Sequence, residues 1–163
     1  MNYQVLINAI KVGIIASDGG VATSFAALGN TRKDTLSFNT TAPTFQKIMV
    51  EERDTPILNV MTDPGGLQMQ WALTDWDADI LTALWGGTVV DEQWLEPAIL
   101  PTVEKSLRIE PRQGKPFIYP RVQLTAQIQY DTTGKIFQIQ VTADKLQPMK
   151  AGTPAFMWGD PEE

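Results

Sequence analysis

LQMQWALTDWDADILTALWGG, residues 67–87, changes its apolar period halfway along, and that change decides the fold class. Leu67, Met69, Trp71 and Leu73 alternate with Gln68, Gln70, Ala72 and Thr74, the period of two of a half-buried strand. From Trp76 the spacing becomes four. Trp76, Ile80 and Leu84 share one stripe with Leu81 and Trp85 beside them, which predicts a helix over about 75–85. Thr74 with Asp77 three residues later has the spacing of a capping box, and Asp75 is an alternative cap. Asp75, Asp77 and Asp79 put negative charge at the positive end of the helix dipole. Gly86-Gly87 ends the helix, because glycine adopts the left-handed conformation without a Cβ clash. Nothing in the stretch is chemically reactive. It predicts architecture: one helix laid across a sheet.

Outward from this element the composition is that of one globular domain. The chain has 163 residues, 43% hydrophobic and 20% charged, and is read as a single β domain over 1–150 followed by a tail over 151–163. It contains neither cysteine nor histidine. That removes disulfides, thiol nucleophiles, thiolate metal sites and the commonest general base and metal ligand together. The net charge of −6 disfavours a protein that grips nucleic acid by neutralising phosphates. The opening MNYQVLINAIKVGIIAS lacks a basic start and is interrupted by Lys11, so it reads as a strand and not a signal segment. No run approaches the roughly 20 apolar residues of a membrane helix, and a cytoplasmic site of synthesis is expected.

Taken in order, residues 3–15 are Val- and Ile-rich and read as one long strand or two short ones, stopped by Ser17-Asp18-Gly19-Gly20. Residues 21–33 are weakly patterned and read as a loop with a short turn near 25–28. Residues 35–41 alternate. Ala42-Pro43-Thr44 interrupts them, and an apolar stretch follows over 45–50. Glu51-Glu52-Arg53-Asp54 is a charge cluster, read as a solvated strand end, and 57–61 is a short strand. After the helix, 88–101 is a surface connection with a short strand, 103–109 alternates, and Pro111 to Pro120 is a proline-rich loop. Val122, Leu124, Ala126, Ile128 and Tyr130, then Phe137, Ile139, Val141 and Ala143, flank the turn Asp131-Thr132-Thr133-Gly134 and form a hairpin. The sum is seven to nine strands and one helix, a mainly β sandwich or partly closed antiparallel barrel.

Catalytic and metal motifs fail on inspection. Asp75-x-Asp77-x-Asp79 starts like a calcium loop, but the sixth position is Ile80 and the twelfth Gly86 instead of glycine and glutamate. Adjacent Glu51 and Glu52 on a strand point to opposite faces. The three glycine pairs lack the context of a phosphate cradle. No cofactor and no metal is expected, nor an enzyme. More informative are the polar faces of the strands, which carry Gln and Thr where solvated strands often carry Lys and Glu. Such a face suits another copy or a confined space, although a plain preference for Gln accounts for it equally. Phe156-Met157-Trp158 near the end of the chain is a second candidate contact, or folds back on its own core.

The order of these features resembles the tail tube (major tail) proteins of long-tailed bacteriophages and, more distantly, the tube proteins of contractile injection systems. The resemblance rests on the alternating strand before Pro43-Thr44 and on the strand ending in Glu51-Glu52-Arg53-Asp54-Thr55-Pro56. It also rests on the strand-to-helix unit ending in Leu84-Trp85-Gly86-Gly87, and on the closing hairpin. It implies a virion tail component, assembled in the host cytoplasm as six-membered rings that stack into a tube with an acidic channel for DNA. Partners would be the chain itself, a tape-measure protein, and tail-terminator or baseplate proteins, with DNA passing unbound and no membrane. Residues 35–53 would be the arm or inner-barrel region. Glu51, Glu52 and Asp54 would face the lumen or a neighbouring ring, and Pro43, Phe45, Phe156, Met157 and Trp158 would make inter-subunit contacts. The rival reading is a β-sandwich that binds a carbohydrate or protein ligand, with Trp94 and Trp158 as platform; Trp71, Trp76 and Trp85 are read as core. A hydrolase with a carboxylate pair ranks last.

Overall fold

The computed structural model describes residues 3–160, so residues 1–2 and the last three residues of the 151–163 tail lie outside the described residues. It is mainly β, a curled antiparallel sheet with one short helix. The main sheet is ordered β2 (Ala26–Ala27), β1 (Val5–Gly13), β9 (Val103–Gln113), β10 (Phe117–Asp131), β11 (Ile136–Lys145), β6 (Gly66–Leu73), β3 (Ser37–Thr41). A two-residue strand, β12 (Met157–Trp158), adds to β10. Two hairpins stand outside it: β4 (Thr44–Val50) with β5 (Arg53–Asp63), and β7 (Thr88–Val90) with β8 (Gln93–Leu95). The helix, α1, is Ala78–Trp85.

The alternation read from the sequence is the cause of the core. Met69, Trp71 and Leu73 of β6 pair with Ala143, Val141 and Ile139 of β11, and all six are buried. Val122 and Leu124 of β10 and Leu107 and Ile109 of β9 continue the same inner face, and α1 adds Ile80 and Leu84. Ser106 is the buried polar exception. Its hydroxyl donates to Pro120 O (2.7 Å) and accepts from Ala22 N (3.0 Å), tying the loop after β1 to the sheet.

Several expectations are corrected. The helix starts at Ala78, not 75: Asp77 is the N-cap, its side chain accepting from Asp79 N (3.1 Å). The Thr74–Asp77 capping box does not form, and Asp75 accepts instead from Asn30 N (3.1 Å), pinning the loop after β2. Gly86 closes the helix at φ 75, its N–H donating to Thr82 O. Within the expected loop of 21–33, Ala26–Ala27 pairs with β1, and Thr31 bridges to Leu73. The Pro111 to Pro120 segment is not a loop. β9 runs through Pro111 to Gln113, β10 resumes at Phe117, and Pro120 lies buried at the register shift between Tyr119 and Val122. A proline costs a ladder hydrogen bond, and a bulge is where that bond is already missing. The 88–101 connection holds two short strands rather than one. Trp76 is not core but 45% exposed. Trp94 is not free: its Nε1 donates to Gly86 O (2.9 Å) and its ring packs on Trp85 at 6.0 Å. Among the described residues no helix is long and apolar enough to cross a membrane.

Candidate functional site

The longest departure from the sequence reading is the hairpin of β4 and β5. The charge cluster at 51–54 is solvated at a strand end, as expected, and it also turns the chain into the next strand. Glu51 and Glu52 form the turn of an arm, while Arg53 and Asp54 already belong to an eleven-residue β5 that runs through Pro56 and the expected 57–61 strand. The arm is Thr44 to Asp63; of the 35–53 expected as arm or inner-barrel region, β3 joins the main sheet and 44–53 belongs to the arm. Pro43 lies at its root and Phe45 in its first strand.

The arm's register places Phe45 opposite Met61 and Ile48 opposite Leu58. Adjacent residues of a strand face opposite ways, so the apolar neighbours Ile48-Met49, Ile57-Leu58 and Val60-Met61 put greasy side chains on both faces. Phe45, Met49, Ile57 and Met61 share one face; Ile48, Leu58 and Val60 share the other. All seven are exposed, by 40% to 52%, because the two strands pack chiefly on each other. An isolated two-stranded hairpin is marginal in water, and one apolar on both faces has nothing in the described residues to cover it.

The main sheet offers the complementary feature. The start of β1, which β2 does not reach, and the end strand β3 both line an open seam, a groove of about 700 Å³. Leu6 and Ile7, Leu36 and Phe38, and Phe117 and Tyr119 line it, drawn from three separate parts of the chain. Thr41, Pro64, Gly65 and Gly66, the root of the arm, form its rim. Gly65 is required there: at φ 80, a Cβ would lie 2.1 Å from Thr41 O. Lys145 is the charged side chain among the described lining residues. Gln4, also in the wall, accepts from Lys115 N (2.9 Å) through Oε1, but its buried Nε2 has no acceptor among the described residues. A buried orphan donor of this kind costs about 1–3 kcal/mol.

Phe156, Met157 and Trp158 fold back on this seam. Phe156 stacks on Tyr119 (4.9 Å) and Phe117 (6.0 Å), while Met157 and Trp158 pair with Ile118 and Phe117. Gly159 N donates to Pro116 O, Arg108 meets Asp160 at 3.0 Å, and Lys115 Nζ lies 5.3 Å from the Trp158 ring centre. Phe156 and Trp158 nevertheless keep 41% and 45% of their surface in solvent. The structure thus brings Phe156 to the groove and leaves Glu51, Glu52, Asp54 and Phe45 on the projecting arm.

The outer face of the β10–β11 hairpin is uncharged over 125–129 and 138–142, as expected, and charge begins at Asp144 and at Glu104 of β9. Thr125 and Thr142, Gln127 and Gln140, and Gln129 and Gln138 are opposed across β10 and β11, and Gln70 extends the row onto β6. They bound a shallow recess of about 380 Å³. Charges flank it in pairs. Arg32 meets Asp131 at 2.7 Å and holds that carboxyl below its ordinary range, helped by the Gly134 and Thr133 amides. Arg121 meets Glu104 at 2.9 Å in a two-pronged pair that lowers the Glu104 pKa. Among the described residues no group of three or more acids converges as a metal cage; Asp75 and Asp77 are spent on Asn30 and on the helix cap. A separate exposed cluster lies where Tyr130 packs on Phe137 (4.8 Å) and Trp76 Nε1 donates to Phe137 O (3.3 Å).

The arm's two-sided pattern was present in the sequence as three adjacent apolar pairs, but strands are usually sought by single alternation. The groove had no sequence signal, since its walls come from both ends of the chain, from Gln4 to Phe156. Compared with known proteins, the chain matches no family model and has no significant match among curated proteins.

Proposed function

We propose that this chain is a structural subunit that assembles with copies of itself into stacked rings, the tail tube of a long-tailed phage. The observation that carries the reading is the β4–β5 arm, whose apolar side chains on both faces are left in solvent by its own fold. Such a surface is stable in water only when another molecule covers it, and a closed ring of identical copies also removes free strand edges. The six-fold ring, the axial stacking and the tape-measure, terminator or baseplate partners come from the resemblance of the sequence. In this reading the chain does no chemistry, and it resides in the virion tail after assembly in a host cytoplasm. The net charge of −6 keeps DNA from adhering as it passes. The acids Glu51, Glu52 and Asp54 at the arm tip serve the lumen or the next ring.

Negative-stain microscopy of the purified protein over a concentration series, with light scattering, tests the proposal. Rings or tubes with a central hole are expected. A strict monomer at every concentration, also after addition of preformed seeds, would refute it.

A binding module is the second reading, favoured by the exposed cluster of Trp76, Tyr130 and Phe137. Saturable glycan binding by a monomer, lost on Trp76→Ala, would establish it in place of the first.

A further inference from the structure

We infer that the seam groove lined by the start of β1 and by β3 binds one long-chain carboxylate, its hydrocarbon tail laid inside the curl of the sheet and its head group drawn to Lys145. The inference goes beyond the assembly reading and does not rest on it, since every group it uses belongs to a single copy.

The cavity follows from incomplete closure. A closed barrel of about eight strands encloses either a packed core or one small ligand. Here the 8-stranded sheet curls without a β1–β3 pairing, so its inner face runs past the packed core to an open seam. Phe38 marks the change. It stands opposite Met69 and so shares its face, yet Met69 is fully buried and Phe38 is 45% exposed. Across the seam, Ile7, Ile109, Phe117 and Tyr119 line the same space. Phe156 stacks on the last two and still leaves 41% of its surface in solvent. The volume, about 700 Å³, lies within the roughly 300–1,000 Å³ of small-molecule sites.

The length of the groove selects a chain over a compact ligand. Its wall from Leu36 to Thr41 spans about 17 Å at roughly 3.3 Å per residue. One acyl chain fills half of a bilayer's roughly 30 Å hydrocarbon core, about the same length.

The polar groups select an anion. Lys145 is the charged side chain among the described lining residues, and it makes no ion pair with any of them or with the rest of the described chain. It lies opposite Val122, a core residue, so its methylenes rise from the inner face while the ammonium stays wet. Thr40, opposite Leu67, brings a hydroxyl to the same end of the sheet, one step beyond the Gln68–Asp144 pair. Gln4 adds a buried amide donor without an acceptor. Among the described residues the lining therefore holds a cation and donors but no acid, and a carboxylate supplies what is missing. Burial raises the Tyr119 pKa, which keeps that wall uncharged beyond the ordinary phenol range.

Calorimetric titration of the full chain with laurate, kept below its micelle concentration, tests the site. One laurate per chain is expected. Decanoate, two methylenes shorter, should bind on the order of tenfold more weakly. Dodecyltrimethylammonium has the laurate chain length and the opposite charge, and should also bind about tenfold more weakly or worse. Lys145→Gln should weaken laurate about tenfold while the cationic ligand and the unfolding midpoint stay unchanged, because Lys145 is exposed and unpaired among the described residues. Phe38→Glu, which sets an acid in the wall, should abolish laurate binding. No saturable binding below the micelle concentration, equal affinity for the two head groups, or laurate binding untouched by Lys145→Gln each overturns the proposal. Self-association that proceeds with no laurate taken up at any protein concentration assigns the groove to a second copy; it overturns the site and leaves the tube reading standing.

Discussion

Replacing Ile48 and Leu58 together by asparagine separates the arm's role in assembly from its role in folding. The two face each other across the hairpin and are 40% and 52% exposed. Fully burying such a side chain contributes about 1.5–3 kcal/mol, and about half of that surface is already covered within the hairpin. Association therefore has roughly 0.7–1.5 kcal/mol left to gain at each residue, or about 1.5–3 kcal/mol for the pair. At 1.4 kcal/mol per tenfold, the double substitution weakens self-association by roughly 10- to 150-fold. The half already covered within the hairpin is lost as well, so the arm's own local stability should fall by roughly 1.5–3 kcal/mol, while the body, which the arm barely touches, keeps its unfolding midpoint. Sedimentation velocity over a concentration series reads the association, and urea unfolding followed by tryptophan fluorescence reads the body's midpoint. Association unchanged within twofold would refute the reasoning. So would a fall in the unfolding midpoint that accounts for the lost association, because the arm would then be packing on its own body.

The remaining expectations concern the scaffold. Ser106→Ala strands Ala22 N and Pro120 O without partners and should cost about 2–4 kcal/mol, lowering Tm by roughly 5–15 °C; calorimetry that finds less than a degree would show that water replaces the hydroxyl. Gly65→Ala forces a Cβ into Thr41 O at positive φ and should destabilise by about 1–3 kcal/mol or more, with loss of assembly as the arm's root shifts. Stability should be flat near neutrality, since no histidine titrates there. Glu104 and Asp131 have lowered folded pKa values through Arg121 and Arg32. Their contribution is therefore present above the ordinary carboxylate range and lost as pH falls through the lower folded values. Tyr119 is the opposite case. Burial raises its pKa, so its contribution is present below the ordinary phenol value and lost as pH rises through the folded one, and Tyr119→Phe should remove that alkaline limb. Urea midpoints measured from acid to alkaline pH check both signs.

The sequence by itself determined the core and the uncharged face. Period-two runs at 67–73, 122–126 and 139–143 admit one assignment of inside and outside, because a one-residue slip would drive Met69, Trp71 and Val141 into water, whereas Ile128, Tyr130 and Phe137 continue the alternation beyond the core and are exposed. It determined the helix too, within three residues at its start, where Thr74 and Asp75 read as caps and Asp77 is the cap instead. Local patterns could not determine the ends of β9 and β10 across Pro111 and Pro120, since whether a proline is tolerated depends on the partner strand's register. They could not place Trp76 and Trp94 either. The stripe made Trp76 look internal, while the position of the β7–β8 hairpin covered Trp94 instead. Only the tertiary structure decided that Glu51 and Glu52 turn a projecting arm, because β5 pairs with β4 alone and the main sheet includes neither. It alone made the groove, whose walls come from residues 4–7, 36–41, 109–119 and Phe156. Alternation is a property of neighbours along a chain, and a seam lined by β1 and β3, which lie far apart in the strand order, exists only once the sheet has curled.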